Sequence, residues 1–589
     1  MRRRSLRFLT IFAAAAALAA IAGAATRSEP PTSTGTGGAA ATVDRLASEA
    51  ALTILRAGGN AADASVAAAA VLGVTEPFSC GIGGGGFLVY YEGPKKPKAN
   101  PHVFTLDQRE KAPAAMKPDS FMENGRALAF NDARYSGLSV GVPGTVRGWA
   151  ETLRRYGSKK ITLAQALAPA IRVARNGFVI DQTFFDQVNG NRDYFDDVPA
   201  TAALYLDADG TPRDVGTTLR NPDLAKTYEL IAANGPSAFY SGEVANAIVQ
   251  TVKSPQVAST ANHRFRPGVM ELADLAAYAA PQRAPTRVRY RGLDVFGMGP
   301  PSSGGSTVGE ALNILEGYSL STLPREQALH YFLEASRFAF ADRGTYLGDP
   351  EFVQIPLKGL LSKEYAAQRR GLIGERAAAA PVAAGKPPGA PVATASMTST
   401  RPGTTTHITV ADKAGNVASY TFTIESTGGA GLVVPGYGFL LNNELTDFNF
   451  DSLTHANRVE GNKRPRSSMA PTVVLRSGKP FFSAGSPGGS TIITTVLQIL
   501  VDRIDLNLTL PQAIADARAS QRNTAAVAVE AEFASGPDAA ALRARGHTFG
   551  TPAEIGAASG VEFLDGGRVL AAAEPVRRGG GSALVVTPR

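Results

Sequence analysis

Residues 377–404 read AAAAPVAAGKPPGAPVATASMTSTRPGT, and this tract constrains the fold more than any other stretch. Proline lacks the amide that helices and sheets require. Glycine loses the most entropy on ordering, and the tract has too little apolar bulk to bury. No regular element is expected there, so it divides the chain. Before it, helical patterns dominate. DRLASEAALTILRAGG predicts a helix closed by Gly58 and Gly59, and Asn60 is placed to cap the alanine-rich NAADASVAAAAVLGV. CGIGGGGFLVYY feeds a glycine run into a strand. Residues 145–180 and 221–252, and HYFLEASRFAFADR (330–343), predict amphipathic helices. RVRYRGLDVFGM (287–298) reads as short strand, stopped by GPPSSGG. After the tract, THITVAD, NVASYTFTIE and PTVVLRSG alternate and are β-branched, which predicts strands, and LPQAIADARA (510–519) predicts a helix. Interleaved helices and strands without an internal repeat point to a layered α+β domain rather than a barrel or solenoid.

The N-terminus carries an address. MRRRSLRF is basic, Phe8 to Ile21 is apolar, and Ala22-Gly23-Ala24 has the small-x-small form of a cleavage site. Residues 1–24 are therefore expected to be a signal peptide, and the protein to be secreted or held in the cell envelope. The apolar run is short beside the ~20 residues of a spanning helix, so no stable membrane insertion is expected. Residues 25–42 are rich in Ser, Thr, Gly, Pro and Ala and read as a flexible leader. The formal charge is +8, and removing Arg2, Arg3, Arg4 and Arg7 with the signal leaves +4, scattered without a basic run. Nucleic-acid binding has no support in that pattern. One cysteine, Cys80, allows no internal disulfide and reads as a packing residue. Six histidines show no metal-ligand spacing, so neither metal nor other cofactor is expected.

At the seam stands GTTTHITVAD, Gly403 to Asp412. One explanation for the threonine triplet is a turn. The other is a cut that turns a threonine into a new N-terminus. Such a residue holds a hydroxyl and an α-amine of pKa about 7.7–8.0, which can take the hydroxyl proton directly or through water. No G-x-S-x-G elbow competes for the role. Chemistry alone leaves Thr404, Thr405 and Thr406 all open. GSPGGS (485–490) offers Gly488 and Gly489, whose amides could approach an acyl oxygen, although an ordinary tight turn would read the same way. Glu425, Glu444 and Asp447 follow among apolar strands, where acids are costly unless they meet a cation such as a substrate ammonium. KRPRSSMAP supplies Ser467 and Ser468 as hydroxyl donors. LDQREKAP supplies Arg109, a fork suited to a carboxylate, which by its neighbours alone would pass for a surface residue.

Taken in order, GGNAADASVAAAAVLGVTEPFSCGIGGGGF, DQREKAP, PPSSGG, FADRGTYLGDP, TTHITVAD, FLLNNELTDF, NKRPRSSMAPT and GSPGGSTIITTVLQ resemble the γ-glutamyltransferases (glutathione hydrolases) of the N-terminal-nucleophile superfamily. The resemblance runs from about residue 43 nearly to the C-terminus. It implies a four-layer αββα sandwich and a proenzyme that cuts itself between Thr404 and Thr405. Residues 43–376 would form the large-chain part, 377–404 the linker ending at the cut, and 405–589 the small chain, both chains staying together as a heterodimer. By the T-T-H pattern Thr405 would be the nucleophile. Thr423 would hydrogen-bond it and aid self-cleavage, and Gly488 and Gly489 would form the oxyanion hole. Arg109, with Ser467 and Ser468, would hold the α-carboxylate of a γ-glutamyl group, and Glu425, Glu444 and Asp447 its α-ammonium. Glutathione and other γ-glutamyl compounds would be donors, with water, amino acids or dipeptides as acceptors.

A related acylase acting on γ-polyglutamate or cephalosporin side chains, and a catalytically dead secreted binding protein, are the alternatives weighed. Some relatives carry Asn at the place of Glu425 and Gln at that of Glu444; here both are acidic. The run from Asp447 to Ser467 is also shorter than in relatives with a lid loop. An open site that accepts bulky γ-glutamyl leaving groups is the hypothesis this motivates. The kcat/KM values on γ-glutamyl oligomers and on glutathione should then be comparable, and a strong preference for glutathione would sink the idea.

Overall fold

The computed structural model describes residues 29–93, 102–391 and 403–588. The expected signal peptide and residues 392–402 of the tract lie outside that set. Among the described residues, β1 spans Thr32–Thr42. Helix α1 (Arg45–Arg56) starts at Asp44, whose side chain accepts from Ala47 N–H. Helix α2 (Ala61–Thr75) starts at Asn60, which forms a reciprocal capping box with Asp63. Strands β2 (Gly85–Glu92) and β3 (His102–Asp107) follow, then helices α3 (Thr145–Tyr156), α4 (Leu163–Asn176), α5 (Pro222–Asn234) and α6 (Gly242–Lys253). Next come β4 (Gln282–Arg283), β5 (Thr286–Tyr290) and β6 (Leu293–Gly297), then α7 (Gly304–Leu315) and α8 (Arg325–Tyr346). After the tract lie β7 (Thr406–Asp412), β8 (Val417–Thr423), β9 (Thr472–Arg476) and β10 (Lys479–Gly485). Helices α9 (Thr491–Ile504) and α10 (Leu510–Ala515) and strands β11 (Ser559–Phe563), β12 (Val569–Ala573) and β13 (Ser582–Pro588) complete the order.

These strands form one 13-stranded path, β4-β3-β2-β8-β7-β1-β12-β11-β10-β9-β6-β5, with β13 also on β1. The path folds back on itself, so that β7 packs on β10 and β11, and β8 on β10, without pairing to them. Period-2 alternation sorts the side chains. Ile408, Val410, Tyr420 and Phe422 face the core under α1–α6. A second core joins Val473 and Phe482 to α7, α8 and α9. The result is helices, sheet, sheet, helices, as expected. Between the sheets polar and small apolar groups meet: His407 Nδ1 lies 2.8 Å from Thr421 Oγ and its Nε2 3.0 Å from Thr409 Oγ, while Ala411 packs with Val561 and Ala571.

Four expectations change. Residues 32–42, read as flexible leader, are a central strand paired with β7, β12 and β13. Its small residues hid the alternation and are what the place requires: a Cβ at Gly35 would lie 2.1 Å from Thr587 O. The described part of the tract has no helix or strand, yet it is anchored, with amides of Val382 and Gly385 donating to Asn523 Oδ1 (2.8 Å) and Asp342 Oδ1 (2.6 Å). Residues 330–343, expected to be amphipathic, lie in α8 with only one residue short of full burial, because their charges pair inside, as in Arg337–Glu334 and Asp342–Arg369. The 510–519 helix stops at Ala515. The 287–298 segment is a hairpin turned by Arg291 and Gly292, both at positive φ, as a two-residue type I′ loop needs. Cys80 is buried and unpaired by disulfide, and burial pushes its thiol well above the usual range. No described helix is long and apolar enough to cross a membrane.

Sheet stacking is tightest at Gly485, where a Cβ would sit 2.3 Å from the His407 ring. That ring is held by two hydroxyls and cannot retreat. Gly485→Ala should therefore cost about 1–3 kcal/mol by overpacking, seen as an earlier midpoint in urea unfolding.

Candidate active site

The pairing register builds the site. Thr406 pairs with Phe422 across β7 and β8, so the next rung sets Thr405 opposite Thr423. The two hydroxyl oxygens are 3.3 Å apart. Thr423 Oγ donates to the carbonyl oxygen of Thr404 at 2.6 Å, and Thr405 Oγ touches the same oxygen. Glu425 N–H donates back to Thr423 Oγ at 2.9 Å, and Glu425 O accepts from Thr404 N–H at 2.6 Å. Glu425 can do both because its φ is +80°, in the left-handed region that costs a side-chain-bearing residue about 1 kcal/mol or more. The triplet is thus differentiated. Thr404 Oγ lies 3.1 Å from Ser79 Oγ, Thr406 Oγ is buried without a partner, and Thr405 Oγ alone reaches the preceding carbonyl. His407, close in sequence, is not part of this network; burial lowers its pKa to about 3.

A clamp that sequence reasoning missed holds the far side. Arg578 Nη1 donates to Thr405 O at 2.7 Å, and Nη2 donates to Glu76 Oε2 at 2.5 Å and to Ser79 Oγ. Arg578 comes from near the C-terminus and Glu76 from the end of α2, so no local pattern could announce the contact.

Thr405, Thr423 and Gly489 line one cavity together with Arg109, Arg343, Glu425, Glu444, Asp447, Arg466, Ser467 and Ser468. Arg109 is 1% exposed, which overturns its surface appearance in sequence. Its Nη1 pairs with Glu444, and its Nη2 pairs with Asp447 Oδ2 at 2.5 Å and donates to Arg466 O at 3.2 Å; its Nε donates to Pro465 O at 3.1 Å. Two of the three acids therefore meet a cation of the protein itself. Glu444 Oε2 is buried, and burial, opposed by Arg109, holds its carboxyl well above the usual range. Glu425 accepts from Ser426 Oγ at 2.5 Å and Asn443 Nδ2 at 2.5 Å. Burial, with the Asp447 charge adding to it, raises Glu425 to about 7 against those bonds. Glu110, the residue after Arg109, is also buried, with its carboxyl against that of Glu444, and burial raises it to about 7.

The other expected residues are close by. Ser467 Oγ accepts from Met469 N–H at 3.1 Å, and Ser468 Oγ accepts from Arg343 Nη2 at 2.7 Å. Gly488 and Gly489, at φ +129° and +56°, lead into α9, and Gly489 Cα lies 3.1 Å from the Cβ position of Gly403. Gly488 sits just behind the lining. No group of three or more His, Cys, Asp or Glu among the described residues could hold a metal ion.

Two stacked antiparallel sheets between helix layers, with a threonine at the head of an inner strand, define an N-terminal-nucleophile hydrolase. The family model described as gamma-glutamyltranspeptidase matches residues 47–584, and the chain belongs to that family. It is 39% identical over 535 residues to the glutathione hydrolase proenzyme of Bacillus subtilis strain 168, covering 89% of this chain and 87% of that one. It is 34% identical over 559 residues to the acylase ACY 1 proenzyme of Pseudomonas sp. strain SE83, covering 92% and 93%. Among solved structures, cephalosporin acylase from Bacillus halodurans matches with a TM-score of 0.82 at 27% identity, covering 96% of this chain and 98% of that one.

The raised Glu425 carries a pH signature. It is charged above about 7 and neutral below, so attraction for a substrate cation fades as pH falls through that value. KM for a γ-glutamyl donor should rise as pH falls below about 7. Glu425→Gln should raise KM at pH 8 and flatten that rise.

Proposed function

We propose that this chain is a self-cleaving γ-glutamyltransferase and glutathione hydrolase with Thr405 as nucleophile. The observation that carries the reading is the hydroxyl pair at the seam: Thr405 Oγ against the Thr404 carbonyl, with Thr423 Oγ donating to its oxygen at 2.6 Å. Thr405 Oγ attacks that carbonyl carbon. Thr423 stabilises the negative charge that develops on the oxygen, and the neighbouring hydroxyl gives the proton a path. The C–N bond breaks, the Thr405 nitrogen takes the proton and becomes an amine, and an ester joins Thr404 to Thr405 Oγ. Water hydrolyses the ester, leaving a Thr404 carboxylate and a Thr405 with free amine and hydroxyl. Ser79 and Arg578 steady the two sides of the bond meanwhile. The products remain associated as a heterodimer, since β7 pairs with β1 and β8 with β2, both from the large chain.

The freed Thr405 repeats the chemistry on substrate. Its amine takes the Oγ proton as Oγ attacks the γ-carbonyl, a γ-glutamyl ester forms, and the amine of the leaving group departs with a proton. Water then completes hydrolysis, or the amine of an amino acid or dipeptide completes transfer. Gly488 and Gly489 would supply the amides for the oxyanion. Glu425, Glu444 and Asp447 receive the α-ammonium, and Arg109, Ser467 and Ser468 the α-carboxylate. No residue from 448 to 465 lines the cavity, which supports a site without a lid. The likeness to two acylases favours a second reading, a preference for acyl groups lacking the amine. The three acids speak against it, and relative rates on γ-glutamyl and glutaryl amides separate the two.

Purified wild type should give two fragments, the smaller beginning Thr-Thr-His, and Thr405→Ala one uncut chain of about 61.2 kDa including any retained signal. Thr423→Ala should slow the cut by ~100-fold or more, the usual cost of losing one oxyanion donor. An uncut wild type, or a cut Thr405→Ala, would falsify the assignment.

A further inference from the structure

One wall of the catalytic cavity holds more positive charge than the acids beside it neutralise. Arg343, from α8, lines the cavity and is 4% exposed. Its Nε donates to Ser303 Oγ at 2.8 Å and its Nη2 to Ser468 Oγ at 2.7 Å, while Nη1 is buried without a hydrogen-bond partner. Arg466 and Arg522 face it as like charges, and the acid that faces it, Asp447, is already paired with Arg109. Arg466 Nη1 is engaged by the carbonyls of Arg343 and Leu347, and Arg522 Nη1 by Ser490 Oγ at 2.6 Å. Burial, reinforced by Arg466, pushes Arg343 well below the usual guanidinium range. A buried cation without a matching anion is costly, so this wall favours an anionic ligand.

Ser468 shows how that charge is directed. A hydroxyl has one hydrogen and two lone pairs. Ser468 spends a lone pair on Arg343, and the described residues offer its hydrogen no acceptor. Arg109 cannot supply the whole of a carboxylate site, because four of its donor contacts go to Pro465, Glu444, Asp447 and Arg466. We infer that Arg343 is a positioning residue for the substrate carboxylate: it turns the Ser468 hydroxyl hydrogen into the cavity and, with Arg466 and Arg522, supplies the cationic field that draws the carboxylate there. The inference rests on reading the cavity as a γ-glutamyl site and goes further in assigning α8 a part in specificity.

The test uses the cleaved enzyme and two donors, γ-glutamyl p-nitroanilide and 4-aminobutyryl p-nitroanilide, which differ only in the α-carboxylate. The readout is the ratio of their kcat/KM values. Arg343→Gln should lower that ratio ~10–100-fold, mainly through KM of the γ-glutamyl donor, and Arg343→Lys should recover part of it. Ser468→Ala should lower the ratio too, and the double variant should fall little further, since the two act as a unit. If Arg343→Gln is not cut, Arg343→Lys carries the measurement, with a ratio lowered ~3–10-fold because a point ammonium cannot serve Ser303 and Ser468 together. Parallel loss on both donors with an unchanged ratio would make Arg343 merely structural and overturn the inference. Losses that multiply in the double variant would overturn the route through Ser468. A wild type that does not prefer the γ-glutamyl donor would sink the proposed function itself, a distinct result.

Discussion

The rung that sets Thr405 opposite Thr423 is the constraint on which the site depends. It follows from backbone pairing along β7 and β8, which fixes side-chain direction with period two. A slip of one residue would turn Thr405 and Thr423 away from the space between the sheets and put Ile408 and Tyr420 into it. Burial of those apolar residues under α2 opposes the slip, so the hydrophobic core enforces the Thr405–Thr423 geometry. His407 and Gly485 lock the same register from the facing sheet.

The charged half of the cavity obeys a different rule. Arg109 pairs with both Glu444 and Asp447, burial favours the neutral form of Glu444, and Glu425 is raised far enough to be neutral part of the time near pH 7. Without substrate, the acids lean on the protein's own cation. A γ-glutamyl group would bring an ammonium and a carboxylate together, so it can compete for both sides of that pairing with no net charge added. This explains physically why a site with so many buried ions tolerates them.

Much of the architecture was legible before the structure. Alternation announced β7, β8 and β9, Asn60 announced the start of α2, and proline and glycine announced the lack of helix and strand in the described part of the tract. The central strand Thr32–Thr42 was not legible, because alanine, glycine and threonine carry no alternation and its partners lie hundreds of residues away. The burial of α8 was missed for a related reason: Glu334, Arg337 and Asp342 look like a solvated face until their partners are known. In the site, the T-T-H pattern and the short motifs marked most residues of the cavity. Arg578, Ser79 and Glu76 escaped, since each gains meaning only through contacts across the chain.

The sequence by itself determined most of the helices and strands, the irregular tract between the two halves, and the residue types available for chemistry, because those depend on local propensity and near-neighbour pattern. It left Thr404, Thr405 and Thr406 equivalent as chemistry. The T-T-H resemblance pointed to Thr405, and tertiary structure supplies the physical difference: Thr404 Oγ lies against Ser79, Thr406 Oγ has no partner and Thr405 faces Thr423. Tertiary structure alone decided that Arg109 is buried among acids and that Arg343 stands behind Ser468. Those outcomes are sums of long-range contacts and desolvation, which no window of sequence contains.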